Sequence, residues 1–127
     1  MNLEHVAINV PNVREQVQWW KEHLGIRIVS AGDVAPYMNF IADDKGSMLE
    51  LYSNEEFEHL DFANINAFNL HFAFSVDDME GERDRLIRAG ATADGDINDT
   101  PTGDKLCFLR DPWNVTVQLV QRKTPMI

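Results

Sequence analysis

Cysteine is almost missing from this chain of 127 residues: Cys107 is the only one, so no intrachain disulfide can staple it. Basic residues are scarce as well, 11 Lys and Arg against 21 Asp and Glu, leaving a formal charge of −10. Nucleic acid and anionic membrane both call for a basic patch that neutralises their charge, so neither is expected as a partner. Long apolar runs are absent. The longest are strand-sized, far short of the roughly 18 residues that suggest a membrane span. Met1 is followed by neither a basic nor an apolar leader segment, and the default expectation is a cytoplasmic protein. No GxSxG, P-loop or GxGxxG motif occurs. What is present, 44% hydrophobic and 25% charged residues, excludes disorder and suits one domain with its own core.

Apolar alternation organises the first half. In LEHVAINV (3–10), Val6, Ile8 and Val10 alternate with His5, Ala7 and Asn9, which is the period of a strand with one apolar face. Asn12 with Glu15 reads as a helix start, Val13, Val17, Trp20 and Leu24 recur at helical spacing, and Gly25 supplies the stop. Strands are expected at 27–31, 37–42 and 47–53, the last two joined by a tight DDKG turn (43–46). The order is βαβββ, and it returns in the second half. LHFAFSV (70–76) alternates again, Asp77 or Asp78 can cap a helix carrying Met79, Leu86 and Ile87 up to Gly90, and strands are expected at 91–93, 105–110 and 115–120. His5 and His71 lie 66 residues apart; Phe40 and Phe108, Asp43 and Asp111, and Glu50 and Gln118 each lie 68 apart. The offset shifts by two between the first strand and the last hairpin and then holds at 68 through that hairpin, which reads as an internal repeat, with module one over 1–53, a connector over 54–68 and module two over 69–127.

The repeat puts four polar residues in equivalent places: His5 and His71 on the first strand of each copy, Glu50 and Gln118 on the last. Parity sets them opposite the apolar runs. Val6, Ile8, Val10, Leu49 and Leu51 would pack beneath the first helix, and Phe72, Phe74, Val117 and Leu119 beneath the second, turning the four polar groups to the other face. If the copies form one curved sheet, that face encloses a cavity where the four converge. Two imidazoles, a carboxylate and an amide oxygen suit a divalent ion such as Zn, Ni, Fe(II), Mn or Co. Met38, Phe40, Met48, Tyr52, Trp113 and Thr116 are the candidates for a substrate wall, with ordinary core packing the alternative for each.

The segments HVAINV (5–10), WWKEHLGI (19–26), MLELYS (48–53), LHFAFSV (70–76) and FLRDPWNVTVQLVQR (108–122) together resemble the vicinal oxygen chelate superfamily, over essentially the full chain. That superfamily includes glyoxalase I, methylmalonyl-CoA epimerase, fosfomycin-resistance transferases, bleomycin-resistance proteins and extradiol dioxygenases. The resemblance implies an α+β fold: two tandem βαβββ modules forming an open, eight-stranded, barrel-like mixed sheet with a helix packed outside each module. It also implies a homodimer, with metal ligands at His5, Glu50, His71 and Gln118. Gln118 departs from the pattern, because glyoxalase I and many relatives carry a glutamate there. An amide oxygen can ligate, but it has no charge and accepts no proton near neutral pH. Glu50 is then the one base in the set, and a metal-dependent lyase or isomerase acting on a small vicinal-oxygen substrate is the leading expectation.

Two other functions fit the same residues. A metal-free binding or sequestration protein of the bleomycin-resistance type would use the cavity without turnover. An Fe(II)-dependent ring-cleaving dioxygenase would use His5, His71 and Glu50, although extradiol relatives take their carboxylate from the last strand of the second copy. Asp94, Asp96 and Asn98 mimic the start of a calcium loop, but Asp99 and Lys105 replace the required Gly and Glu. Cys107 reads as a small buried hydrophobe, His23 as a partner of the first helix's C-terminal dipole, and His59 as solvated. Trp19 and Trp20 read as packing residues, and Arg110 as one end of a surface salt bridge.

Overall fold

The first apolar alternation forms strand β1 over Val6–Asn9, and helix α1 follows over Val13–His23. The structure is a computed structural model describing all 127 residues. Val13, Gln16, Val17 and Trp20, spaced i, i+3, i+4 and i+7, make one buried stripe along α1. Asn12 starts the helix differently from expectation. Its side chain makes no cap bond, and its carbonyl instead accepts the Gln16 N–H at 3.0 Å. Strands β2 (Arg27–Ala31), β3 (Asn39–Ala42) and β4 (Met48–Tyr52) complete the module. β3 begins two residues later than its apolar pattern suggests, because Tyr37 adopts a left-handed φ of 54° that no strand accommodates.

The order in this sheet is β1-β4-β3-β2, with β1 parallel to β4 and the remaining pairs antiparallel. Val10, Leu51, Ile41 and Ile8 are buried with the α1 stripe. Val6 is not: it stands 46% exposed at the start of β1, which corrects the expectation that it packs under the helix.

In the second half, β5 (Phe72–Ser75) and α2 (Met79–Arg88) lead to β6 (Thr92–Ala93), β7 (Asn98–Asp99), β8 (Lys105–Arg110) and β9 (Thr116–Gln121). Here β5 is parallel to β9, and the order β5-β9-β8-β6 repeats that of the first sheet. Strand β7 is additional to the expected strands. It pairs Asn98 with Leu106 and Asp99 with Lys105, raising the expected eight strands to nine. Asp78 is the cap of α2, its Oδ1 accepting the Gly81 N–H at 3.1 Å. Gly81 sits in the first turn for a steric reason: a Cβ there would run into the Asp78 carboxylate. Met79 and Leu86 are buried on Cys107, Leu109, Val117 and Leu119, the inward parity of β8 and β9, whereas Ile87 is 36% exposed and lies off that stripe.

The repeat holds down to single hydrogen bonds. Asp43 Oδ1 accepts the N–H groups of Lys45 and Ser47, and Asp111 Oδ1 those of Trp113 and Val115, all at 2.9 Å. The position before the turn closes needs positive φ in both copies; Gly46 (94°) fills it in one and Asn114 (70°) in the other. The chain divides into two compact units, Met1–Leu60 and Asp61–Ile127, and the division falls inside the segment read as a connector.

Candidate functional site

In the first unit, sheet register sets the outward face. Glu50 is the lateral neighbour of Ala7 on β1 and of Phe40 on β3, so all three side chains share one side, opposite α1. His5, one residue before β1 and two before Ala7, takes the same side. Its Nε2 lies 3.2 Å from Glu50 Oε2, and its ring meets Phe40 edge to face at 5.4 Å between centroids. The Glu4 carboxylate holds its Nδ1. The Glu4 hydrogen bond is the main influence holding the His5 imidazole above its ordinary pKa; the little burial it has opposes this, and Glu50 adds to it. A carboxylate faces each nitrogen, and Nε2 ligates only in its unprotonated form. The Glu50 side chain is only 13% exposed.

The second unit repeats this arrangement with an amide for the carboxylate. Gln118 neighbours Ala73 on β5 and Phe108 on β8, and His71 meets Phe108 at 5.3 Å, again edge to face. His71 Nδ1 lies 2.7 Å from the Ala67 carbonyl. A carbonyl only accepts, so Nδ1 is the protonated nitrogen, and in the neutral ring Nε2 carries the free lone pair. Histidines that bind metals are oriented in this way, their second nitrogen fixed by an oxygen. The residues therefore fit a divalent ion in donor type, and His71 also in tautomer. No group of three or more His, Cys, Asp or Glu side chains is placed to hold a metal ion.

Among the wall candidates, Phe40, Met48 and Tyr52 share the Glu50 face and are half-buried. Thr116 is buried at 3%, on the Gln118 side of β9 and opposite Arg110. Met38 precedes β3 and is 44% exposed. Trp113 sits in the turn after β8, away from any strand register. A hollow of about 620 Å³ edged by Arg14, Gln18, Asp33 and Asn39 holds none of the candidate ligands.

Arg110 does more than the sequence suggests. It forms the expected salt bridge, donating to Asp94 Oδ2 at 2.7 Å, and adds to it by donating to the carbonyls of Phe62 and Ile65 at 2.9 Å, clamping the segment before β5. His59 is also less solvated than expected, its Nε2 enclosed without a hydrogen-bond partner. Two groups that hold the imidazoles carry no sequence signal, the Ala67 carbonyl and the Glu4 carboxylate, and neither does the ring of Phe68, which meets Phe108 at 5.3 Å. The 68-residue offset marked Phe40 and Phe108 as equivalent. Nothing in the repeat marked Phe68, because Asn2 occupies the corresponding place.

Residues 2–119 match the sequence model of the Glyoxalase/Bleomycin resistance protein/Dioxygenase superfamily. No curated protein matches the chain. Among solved structures, a glyoxalase family protein from Bacillus cereus is similar at a TM-score of 0.80 with 17% identity, covering 95% of this chain and 93% of its own. TnmS3, an antibiotic binding protein from Streptomyces sp. CB03234, gives 0.69 with 16% identity over 97% of both chains. A glyoxalase I variant from Zea mays gives 0.75 with 19% identity, covering 97% of this chain and 46% of its own. Identities this low carry the fold alone.

Proposed function

Because the chain belongs to the Glyoxalase/Bleomycin resistance protein/Dioxygenase superfamily, we propose that it is a metal-dependent enzyme acting on a small vicinal-oxygen substrate by lyase or isomerase chemistry. His5, Glu50 and His71 are its metal ligands, and Gln118 is the weakest fourth. The observation that carries this reading is the orientation of both imidazoles: oxygen atoms hold Nδ1 of each, and Nε2 of His5 points at Glu50. A bound dication supplies Lewis acidity toward a substrate oxyanion. Glu50 takes and returns the proton at the carbon beside the carbonyl, as the one carboxylate of the set. Gln118 offers its amide oxygen without charge, so the shell is one negative charge short of a two-carboxylate shell. The protein works as a homodimer in this reading.

Elemental analysis of protein purified without chelator and reloaded with Ni, Co, Zn, Mn or Fe(II) tests it. One equivalent of metal is expected in the wild type, and a sharp loss in His5→Ala and in His71→Ala. Wild-type metal content in both variants would sink the ligand set. Once a substrate is found, Glu50→Gln is expected to slow turnover by roughly 100- to 10,000-fold; unchanged turnover would put the base elsewhere.

Gln118 favours a second reading, a metal-free binding protein. A wild type that takes up none of these ions yet binds a small organic ligand would select it. Oxygen uptake with catechol would instead select Fe(II)-dependent ring cleavage.

A further inference from the structure

Phe68 is 82% exposed, although it is a large apolar side chain held in a defined place. The Asn66 carboxamide oxygen accepts the Phe68 N–H at 2.9 Å, and the Asn69 N–H closes back on the Asn66 carbonyl at 2.9 Å. This turn also carries Ala67, whose carbonyl fixes His71. Phe68 meets Phe108 at 5.3 Å and 75°, and Phe108 meets His71 at 5.3 Å and 65°, so the three rings run in series. An edge-to-face contact covers only part of a ring, and the exposure leaves a face of Phe68 open.

The other copy serves as an internal control. It keeps the His5–Phe40 contact but has Asn2, not an aromatic residue, three positions before its histidine where Phe68 comes three before His71, so the His–Phe pair does not require a third ring. A ring that buries so little adds little to stability. We infer that Phe68 is a specificity-determining residue that stacks against a flat, uncharged aromatic group of the substrate beside His71. The inference rests on the proposed metal-site reading and deepens it by naming a substrate class. An uncharged group fits better than an anionic one, since aromatic faces are electron-rich and the chain carries a net charge of −10.

The test uses nickel-loaded protein and two chelators, benzohydroxamate and acetohydroxamate, which offer the same vicinal oxygens and differ in the ring. Titration calorimetry should show benzohydroxamate binding the wild type roughly 3- to 10-fold more tightly. Phe68→Ala should abolish that preference while leaving acetohydroxamate affinity and nickel content unchanged, and Phe68→Tyr should retain it. If both chelators bind and Phe68→Ala leaves their ratio intact, the inference fails and the metal site stands. If neither binds, the metal-site reading fails and takes the inference with it. Nickel lost with the ring would make Phe68 a support for His71, and a change of oligomeric state in light scattering would make it an interface residue; either result overturns the inference.

Discussion

Asp43 and Asp111 make the same turn in two environments, and removing each carboxylate separates the effect of burial from that of geometry. At Asp111, which is 2% exposed, the carboxylate accepts one buried N–H from Val115 and one partly buried N–H from Trp113. Asp111→Ala leaves the Val115 N–H without partner or water, at about 1–3 kcal/mol, and weakens Trp113 by about 1 kcal/mol more, a total of about 2–4 kcal/mol. The N–H groups of Lys45 and Ser47 that Asp43 accepts are exposed. Water replaces the carboxylate there, and Asp43→Ala should cost only about 0.5–1.5 kcal/mol. Urea unfolding followed by circular dichroism reads both, and the larger loss corresponds to a fall in Tm of roughly 10 °C for a chain of this size. Asp111→Asn, which retains an acceptor oxygen, should recover most of the difference. Equal losses at the two positions, or a loss below about 1 kcal/mol at Asp111, would refute burial as the deciding factor.

Burial pushes the Asp43 carboxyl up, but the Ser47 and Lys45 N–H groups outweigh it and hold the pKa below the ordinary aspartate value. Its stabilisation is therefore complete above about pH 4 and lost as pH falls through the lowered folded value; the gap in stability between wild type and Asp43→Asn should close over that window, and a gap independent of pH would contradict this. Arg110→Lys should cost about 2–3 kcal/mol in urea unfolding, because an ammonium cannot span Asp94, Phe62 and Ile65 as the guanidinium fork does, and wild-type stability in that variant would show the clamp to be idle. Mixed His5→Ala and His71→Ala subunits should recover metal in heterodimers if each site draws its two halves from different chains, and should recover none if both come from one. A strictly monomeric protein at micromolar concentration in light scattering would remove the dimer itself.

What could be read from the sequence was whatever repeats with a period. The β1 alternation, the α1 stripe and the 68-residue offset located both sheets, and they put Glu50 and Gln118 on matching strand positions. Features held by backbone geometry were hidden. β7 is two residues joined to β8 by main-chain bonds, with no apolar period to announce it, and Tyr37 shortens β3 through a dihedral angle that its neighbours do not encode. The salt bridge of Arg110 was legible, but its further acceptors are carbonyls 45 and 48 residues away, and carbonyls have no residue identity. The Ala67 carbonyl that orients His71 was hidden for the same reason.

The two copies diverge where the proposed chemistry needs asymmetry. A carboxylate at both last-strand positions would let either one move a proton; Glu50 in one copy and Gln118 in the other leave one. Phe68 against Asn2 is a second difference of this kind, one copy retaining a ring where the other has a small polar side chain. The elements common to both copies, the His–Phe contact, the Asp turn and the parallel pairing of first and last strands, are those that hold backbone and imidazole in place. Those that differ, Glu50 against Gln118 and Phe68 against Asn2, belong to neither framework. A substrate that is itself unsymmetrical, with its vicinal oxygens at one end and a flat ring at the other, is what such a division between copies would accommodate.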